Sequence, residues 1–173
     1  MSDRVALAEP EDVAALPAIE LTAATLLQGH APRAVLEEAT DVGELRAAQA
    51  AGRLWVARAD EVPVGFAYAV LLVDGSAHLD EVDVHPAHGR RGLGAALVRA
   101  ACAWSAGAGH PRLTLTTFRD VPWNMPFYAR LGFREIPPAR LTPALAAIVA
   151  DETARGLDPA RRTVMAWSPP AAR

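Results

Sequence analysis

One stretch of the chain combines acidic residues with a glycine-rich loop. Residues 77–97 read AHLDEVDVHPAHGRRGLGAAL. The alternation from Leu79 to Val84 predicts a strand with acidic side chains, Pro86 breaks it, and the apolar-periodic run after GRRGLG predicts a long helix. A turn of this kind places unpaired backbone N–H groups beside the positive end of a helix dipole. The stretch therefore predicts a site that holds a phosphate through the backbone.

The predicted strand also carries four side chains that can accept a proton, His78, Asp80, Glu81 and Asp83. Because side chains alternate along a strand, His78 and Asp80 are predicted to share one face, and Glu81 and Asp83 the other. A β-bulge between them would reverse this order. These groups either act as general bases or fill structural and surface roles.

The elements around this stretch predict one mixed α/β domain. Three antiparallel strands joined by hairpins come before the loop, and a strand–helix–strand unit around the loop predicts a parallel pair. The predicted strands are 5–7, 54–59, 64–73, 79–84, 113–117, one beginning at Phe133, and 163–167. The predicted helices are 13–27, 33–39, 42–51, one from Gly92 to about Gly107, 125–131 and 141–156. Pro17 predicts that the first helix begins late or is kinked.

Composition narrows the classes of protein. The 173 residues, 51% of them hydrophobic, suffice for a single domain spanning 1–173, with a mobile tail at 168–173. Cys102 is the only cysteine and is predicted to be a buried thiol. His85 and His88 flank Pro86, which prevents one helix from carrying both, so no metal site is predicted.

Charge and hydropathy favour a cytoplasmic protein without membrane or nucleic-acid partners. No apolar run is long enough for a membrane helix, and the amino terminus lacks the apolar core of a signal peptide. The net charge is −3, and basic residues form no block. All 17 basic residues are arginine, so regulation by acylation of the protein's own lysines is excluded.

Two motifs resemble the GNAT superfamily of acyl-coenzyme A (acyl-CoA) dependent N-acyltransferases. GRRGLGAAL after the acidic strand is similar to the family's pyrophosphate loop, (Q/R)xxGx(G/A), and PFYARLGF at 126–133 is similar to its late tyrosine helix. The match departs from the pattern at Gly89, where Gln or Arg is usual, and at Val121, where an asparagine often precedes the tyrosine. A dinucleotide fold is disfavoured because antiparallel strands precede the loop.

The resemblance implies a GNAT-like fold, with antiparallel N-terminal strands, a splayed central parallel pair and helices on both faces. It also implies an N-acetyltransferase that uses acetyl-CoA, without a metal, to acetylate a primary amine by direct attack. The general acid would be Tyr128, and the base would be Asp80, Glu81, His78 or a water chain. The residues implied to bind the cosubstrate are Val82, Asp83, Val84, Gly89, Arg90, Arg91, Gly92, Leu93, Gly94, Ala95, Asn124 and Tyr128.

Several alternatives stay open at this point. Asn124 either contacts the pantetheine arm or caps its helix. Trp123 is a candidate for substrate contact. The acceptor is a small amine or a peptide amino group, and a homodimer is possible. A non-catalytic acyl-CoA binding or sensing module is the alternative function.

Overall fold

A computed structural model describes residues 3–170 of the chain. Within that range, seven strands form one mixed sheet in the order β1-β2-β3-β4-β5-β7-β6. The strands are β1 (Asp3–Leu7), β2 (Leu54–Ala59), β3 (Val62–Leu71), β4 (Ala77–Val84), β5 (Leu113–Phe118), β6 (Arg134–Ile136) and β7 (Arg162–Trp167). The β4–β5 pair is parallel and the others are antiparallel, which confirms the predicted α/β class with a mixed sheet.

Six α-helices accompany the strands in the described range. They are α1 (Leu16–Ala24), α2 (Arg33–Leu36), α3 (Val42–Ala50), α4 (Leu93–Gly107), α5 (Met125–Arg130) and α6 (Pro143–Ala154). Residues 10–15 and 25–27 form short 3-10 helices on either side of α1. Pro17 lies in the first turn of α1, where a missing N–H costs no hydrogen bond, so the late-start alternative was the right one. None of the helices in residues 3–170 is long and apolar enough to cross a membrane.

Contacts between Cα atoms group the described residues into two compact units. The first contains the residues up to Val70 together with Leu79–Trp104, and the second contains Leu71–His78 together with the residues from Ser105 onward. The division passes through β4 and α4. The predicted single domain stays a prediction, and of the predicted tail only 168–170 belong to the described residues.

The first unit is built on β2 and β3, which are buried along most of their length. Their side chains pack with those of α1 and α3 around Phe66, Leu16, Leu45 and Leu54, none of which is exposed to solvent. Asp41 caps α3 by accepting hydrogen bonds from Gly43 N and Glu44 N. Both faces of β2 are buried, including the charged Arg58, which the run LWVARA only partly indicates.

The Asp12–Arg58 ion pair ties the first 3-10 helix to β2. Arg58 Nη2 donates to Asp12 Oδ2 at 2.6 Å, and both side chains are at most 10% exposed. The same Asp12 oxygen accepts the Glu9 N–H at 2.8 Å, which fixes the start of the 3-10 helix. Cys102 on α4 is buried as predicted, and burial raises the pKa of its thiol to about 12, so the thiol stays protonated at neutral pH.

The second unit is organised around β7, which lies between β5 and β6 in the sheet. β7 pairs antiparallel with both strands, from Leu113–Trp167 to Phe118–Arg162 on one side and at Arg134–Ala166 on the other. Arg162 donates to Glu152 on α6 and to Thr116 on β5, forming a largely buried polar cluster. The last strand in sequence is therefore internal to the sheet, a placement that no local pattern indicates.

Candidate functional site

The loop between β4 and α4 has the backbone conformation of an anion cradle. Residues 86–88 form a 3-10 turn, and Arg90 and Gly92 then adopt left-handed φ values of 58° and 81°. Alternation of right- and left-handed residues turns successive N–H groups toward one side. A Cβ built on Gly92 would meet no atom within 4 Å, so the space beside the loop is open.

The first turn of α4 adds further donors to this cradle. Ala96 N donates to Gly92 O at 3.0 Å, which makes Gly92 the residue that caps the helix. Helix geometry leaves the N–H groups of Leu93, Gly94 and Ala95 without an intrahelical acceptor. These groups and the helix dipole can receive a doubly charged phosphate group.

The two arginines of the loop differ in what they contact. Arg91 donates through Nη2 to Asp3 on β1, and its Nη1 lies 2.8 Å from His88 Nδ1. Arg90 is exposed at the tip of the loop. Arg91 therefore stiffens the loop, whereas Arg90 presents its charge to solvent.

The second half of β4 runs against β3 at a position that requires glycine. A Cβ on Gly65 would lie 2.7 Å from the Asp83 carbonyl oxygen and 3.2 Å from Val84 Cα. His85 N donates to Val64 O at 2.8 Å, so the backbone groups of His85 and Asp83 point toward β3. Because backbone groups alternate along a strand, those of Val82 and Val84 point away from β3, whereas those of Asp83 point toward it. The pantetheine contacts of Val82, Asp83 and Val84 stay a prediction.

The acidic residues of β4 meet a third carboxylate from α1. Oxygen atoms of Glu20, Glu81 and Asp83 all lie within 4.8 Å of one another. The carboxyl group of Asp83 lowers the pKa of Glu81, and that of Glu81 raises the pKa of Asp83, as expected for neighbouring side chains on one face of the strand. The other oxygen of Asp83, Oδ2, is buried and has no hydrogen-bond partner among the described residues.

This arrangement raises the affinity of the cluster for protons. Burial raises the pKa of Glu81 to about 8, and the charges of Glu20 and Asp80 act in the same direction. Burial, followed by the charges of Glu81 and Glu20, holds the pKa of Asp83 well above its usual range. A carboxyl group with such a pKa is suited to general acid–base chemistry at neutral pH.

Asp80 and His78 lie in different surroundings. Asp80 is the exposed residue of β4, and it accepts a hydrogen bond from the Tyr68 hydroxyl on β3. His78 is only 2% exposed, and its Nδ1 lies 2.8 Å from Thr114 Oγ1 on β5. The surroundings of His78 are those of a histidine with a structural role. Of the three predicted bases, Glu81 therefore has the environment most suited to accepting a proton at neutral pH.

Val82 is engaged with the same cluster. Its N–H donates to the Glu81 carboxylate, which lowers the pKa of Glu81 against the effect of burial. In this conformation the Val82 N–H is directed at a carboxylate of its own strand.

The tyrosine motif lies in the second unit and is described there by itself. Tyr128 on α5 is half-buried, and its ring centroid is 5.0 Å from that of Phe127 and 5.8 Å from that of Phe133. Asn124 occupies the N-cap position of α5, but its side chain accepts no capping hydrogen bond. The capping alternative for Asn124 is therefore wrong. Trp123, before it, is 48% exposed.

Sequence reasoning missed Glu20, Thr40 and Tyr68. Glu20 is a charged residue in an otherwise apolar helix, and it is only 9% exposed. A charge within the apolar run LPAIELTAATLL was the one local signal available. Thr40 and Tyr68 gave no signal of this kind.

The sequence and the fold were compared with those of known proteins. The model of the acetyltransferase (GNAT) family matches residues 21–133. PaiA N-acetyltransferase from Thermoplasma acidophilum, solved with coenzyme A, has a TM-score of 0.71 at 15% identity, covering 98% of this chain and 100% of that one. The ribosomal-protein-S18-alanine N-acetyltransferase from Escherichia coli has a TM-score of 0.67 at 19% identity, covering 99% and 97%.

A third similar structure is Rv2747 from Mycobacterium tuberculosis, also solved with coenzyme A. Its TM-score is 0.63 at 24% identity, and the match covers 96% of this chain and 99% of that one. At such identities the structures show a shared fold. The family model, however, spans well over half of the sequence and includes both predicted motifs, so the chain belongs to the acetyltransferase (GNAT) family.

Proposed function

We propose that the protein is an N-acetyltransferase that moves the acetyl group of acetyl-CoA to a primary amine by direct attack in a ternary complex. The observation that carries the proposal is the β4–α4 loop, whose left-handed Arg90 and Gly92 precede a helix with open first-turn N–H groups. Membership of the acetyltransferase family supports acyl transfer from coenzyme A.

The loop would hold the pyrophosphate of the cosubstrate. The proposed donors are the backbone N–H groups of residues 90–95, because the predicted donor Gly89 N already donates to Pro86 O at 3.1 Å. A charge-assisted hydrogen bond contributes about 1.5–3 kcal/mol. About four such bonds would supply much of the roughly 8 kcal/mol of a micromolar complex. Val82 and Val84 would pair with the pantetheine amides through their backbone groups, as an added strand does.

The acid pair would receive the proton of the acceptor. An amine attacks a thioester only as the free base, so its ammonium proton must leave. Glu81, beside Asp83, is the proposed acceptor of that proton. Once protonated, Glu81 holds the Val82 N–H less strongly, and this N–H would then polarise the thioester carbonyl.

Tyr128 is the proposed general acid. Its hydroxyl would donate a proton to the departing thiolate, so that coenzyme A leaves as a thiol. The role comes from the family motif PFYARLGF, and the packing of the ring against Phe127 and Phe133 supports it by fixing the ring orientation. Asn124, whose side chain does not cap α5, is proposed to contact the pantetheine arm.

The acceptor is proposed to be a cationic amine, because the acids of β4 and Glu20 favour a positive charge. Both small amines and peptide amino groups remain candidates, and the Escherichia coli neighbour is an alanine N-acetyltransferase of a ribosomal protein by its name. Single-domain organisation, a cytoplasmic location, a homodimer and the absence of a metal stay predictions.

A screen for thiol release tests the proposed function. Acetyl-CoA is incubated with panels of amines, amino acids, aminoglycosides and peptides, and free coenzyme A is measured. Release with at least one amine, with the acetylated product identified by mass spectrometry, is the expected result. Tight acetyl-CoA binding without release across all panels would instead indicate the non-catalytic binding module.

A further inference from the structure

The carboxylate of Glu20 is held from behind by the segment that follows α2. Thr40 N donates to Glu20 Oε2 at 2.8 Å, and Thr40 Oγ1 donates to Glu20 Oε1 at 3.1 Å. Burial raises the pKa of Glu20, and these two hydrogen bonds oppose that effect. Glu20 is therefore fixed in position and directed at the Glu81–Asp83 pair.

No cation neutralises this group of three acids within residues 3–170. The ion pairs of the described arginines involve other acids, among them Asp12, Asp3 and Glu152, and the chain has no lysine. Three partly buried carboxylates within 4.8 Å of one another repel each other, which disfavours their simultaneous ionisation at neutral pH.

A second set of contacts leads from Glu20 toward solvent. Besides holding Glu20, the Thr40 side chain acts on the hydroxyl of Tyr68 and lowers its pKa, and Tyr68 is 3% exposed. The Tyr68 hydroxyl donates to the carboxylate of Asp80, the exposed residue of β4. Burial, and then the charge of Asp80, raise the pKa of Tyr68 well above its ordinary value, so this hydroxyl keeps its proton.

We propose that Glu20, Thr40 and Tyr68 are positioning residues that set the protonation of the Glu81–Asp83 pair and connect it to Asp80, forming a path by which the pair loses its proton to solvent. The proposal rests on the proposed function, in which this pair accepts the proton of the amine. It adds three residues, from α1, the segment before α3, and β3, to a base that the sequence placed on β4 alone.

Protons balance along this path. The ionised pair takes one proton from the ammonium group and returns to its singly protonated state. Glu20 accepts that proton, and the Thr40 hydroxyl, which donates to Glu20 in this conformation, turns toward Tyr68 Oη. Glu20 then donates the proton to Thr40 Oγ1, the Thr40 hydroxyl donates its own to Tyr68 Oη, and Tyr68 donates its own to Asp80. Asp80 releases the proton to water, and each hydroxyl ends with one proton, as it began.

The charged groups around Glu81 and Asp83 determine in which direction a substitution shifts the pH at which this pair ionises. Glu20 from α1 and Asp80 from β4 both act on Glu81, and Glu44 from α3 acts on Glu20 and Tyr68. All are acidic, so each raises the affinity of the cluster for protons. Removal of the Glu20 charge must lower the pH at which the pair ionises.

The first test measures titration of the free protein, without any substrate. Carboxyl ¹³C NMR is recorded against pH for the wild type, Glu20→Gln, Thr40→Val and the control Glu61→Gln, which changes an exposed acid paired with Arg4. We expect Glu81 to titrate near pH 8 in the wild type and control, and lower by about one pH unit in Glu20→Gln. Thr40→Val keeps the backbone N–H, and by removing one hydrogen bond it should raise the pKa of Glu20 further.

Two results of this titration would overturn the proposal regardless of catalysis. One is a wild-type Glu81 that titrates below pH 5, and the other is a Glu20→Gln variant with the wild-type curve. Micromolar binding of Mg²⁺ or Mn²⁺ that abolishes the titration would also overturn it, because the cluster would then hold a metal ion.

The second test uses an amine found by thiol release. The rise of kcat/KM with pH should follow the ionisation of the pair and move to lower pH in Glu20→Gln. Thr40→Val should lower kcat by about tenfold and change the solvent isotope effect, whereas Thr40→Ser, which restores a hydroxyl, should recover both. Equal kcat and isotope effects in Thr40→Val and the wild type would eliminate the path.

Absence of thiol release from the wild type would refute the proposed function. The titrations would then still test whether Glu20 sets the protonation of the Glu81–Asp83 pair.

Discussion

Tyr128 is the residue that is proposed to protonate the departing thiolate of coenzyme A. Its aromatic ring is packed between Phe127 and Phe133, so the hydroxyl is the only part of the side chain that a change to phenylalanine removes. That substitution therefore separates the hydroxyl's chemistry from the packing of α5. Glu81, in contrast, combines a raised pKa with contacts to Val82 and Asp83, so its substitution changes several interactions together.

Tyr128→Phe should lower kcat by about 10²–10⁴-fold, because thiolate departure loses its proton donor. The dissociation constant of acetyl-CoA, measured by calorimetry, should stay within about twofold of the wild-type value, and the melting temperature should not change. Unchanged turnover in this variant would show that the thiolate leaves without help from Tyr128.

At the scale of elements, the end of β4, the loop and the start of α4 form the segment that is proposed to bind the cosubstrate. Each part has a separate physical basis: a strand whose pairing with β5 lies at Ala77 and His78, left-handed residues in the loop, and a helix whose first N–H groups have no intrahelical acceptor. Both Gly92→Val and Gly94→Val are predicted to abolish binding by steric exclusion. Gly92 has a positive φ, so valine there also strains the loop, and Gly94 inside α4 is the better test.

Gly94→Val should abolish coenzyme A binding measured by calorimetry, because the new side chain would occupy space needed by the phosphates. Ala103→Val is the matched control, since it adds bulk to an exposed position of the same helix. Circular dichroism should show both variants folded. Wild-type affinity in Gly94→Val would remove the pyrophosphate assignment.

Gly65→Ala tests whether close packing against β3 fixes the position of β4 at Asp83 and Val84. The added Cβ would lie 2.7 Å from the Asp83 carbonyl oxygen, so β4 must move at Asp83 and Val84. We expect a loss of about 1–3 kcal/mol in the free energy of unfolding by urea, and weaker acetyl-CoA binding. Gly107→Ala, where a Cβ meets nothing within 4 Å, is the control and should be nearly neutral. A Gly65→Ala protein with wild-type stability and affinity would contradict the close packing of these strands.

For the whole molecule, stability comes from apolar cores and from buried ion pairs inside each unit. Asp12–Arg58 serves the first unit, and Glu152–Arg162 the second. A buried pair adds little net stability compared with an apolar pair, but removal of one partner leaves an uncompensated charge. Exposed pairs such as Arg33–Glu37 contribute far less, because water screens them.

Asp12→Asn should reduce the free energy of unfolding, measured in urea, by about 3–5 kcal/mol, since Arg58 would remain buried without its counterion. Glu37→Gln removes a carboxylate from an exposed ion pair of similar length, and it should change stability by less than about 0.5 kcal/mol. Equal effects of the two substitutions would mean that water reaches Arg58.

The sequence by itself determined the order of helices and strands, the phosphate-type loop and the family, because these depend on local periodicity, on glycine and proline, and on short motifs. Strand ends were predicted within two residues at β2, β5 and β7, where apolar runs are bounded by turns. It also placed Glu81 and Asp83 on one face.

Only the tertiary structure decided three other features. They are the position of β7 inside the sheet, the burial of His78, and the lack of a capping hydrogen bond from the Asn124 side chain. The same holds for the contact of Glu20 with Thr40, and for its approach to Glu81 and Asp83, which lie far along the chain. The reason is physical: periodicity specifies which face of an element is buried, whereas the partners of a buried polar group depend on how distant elements pack.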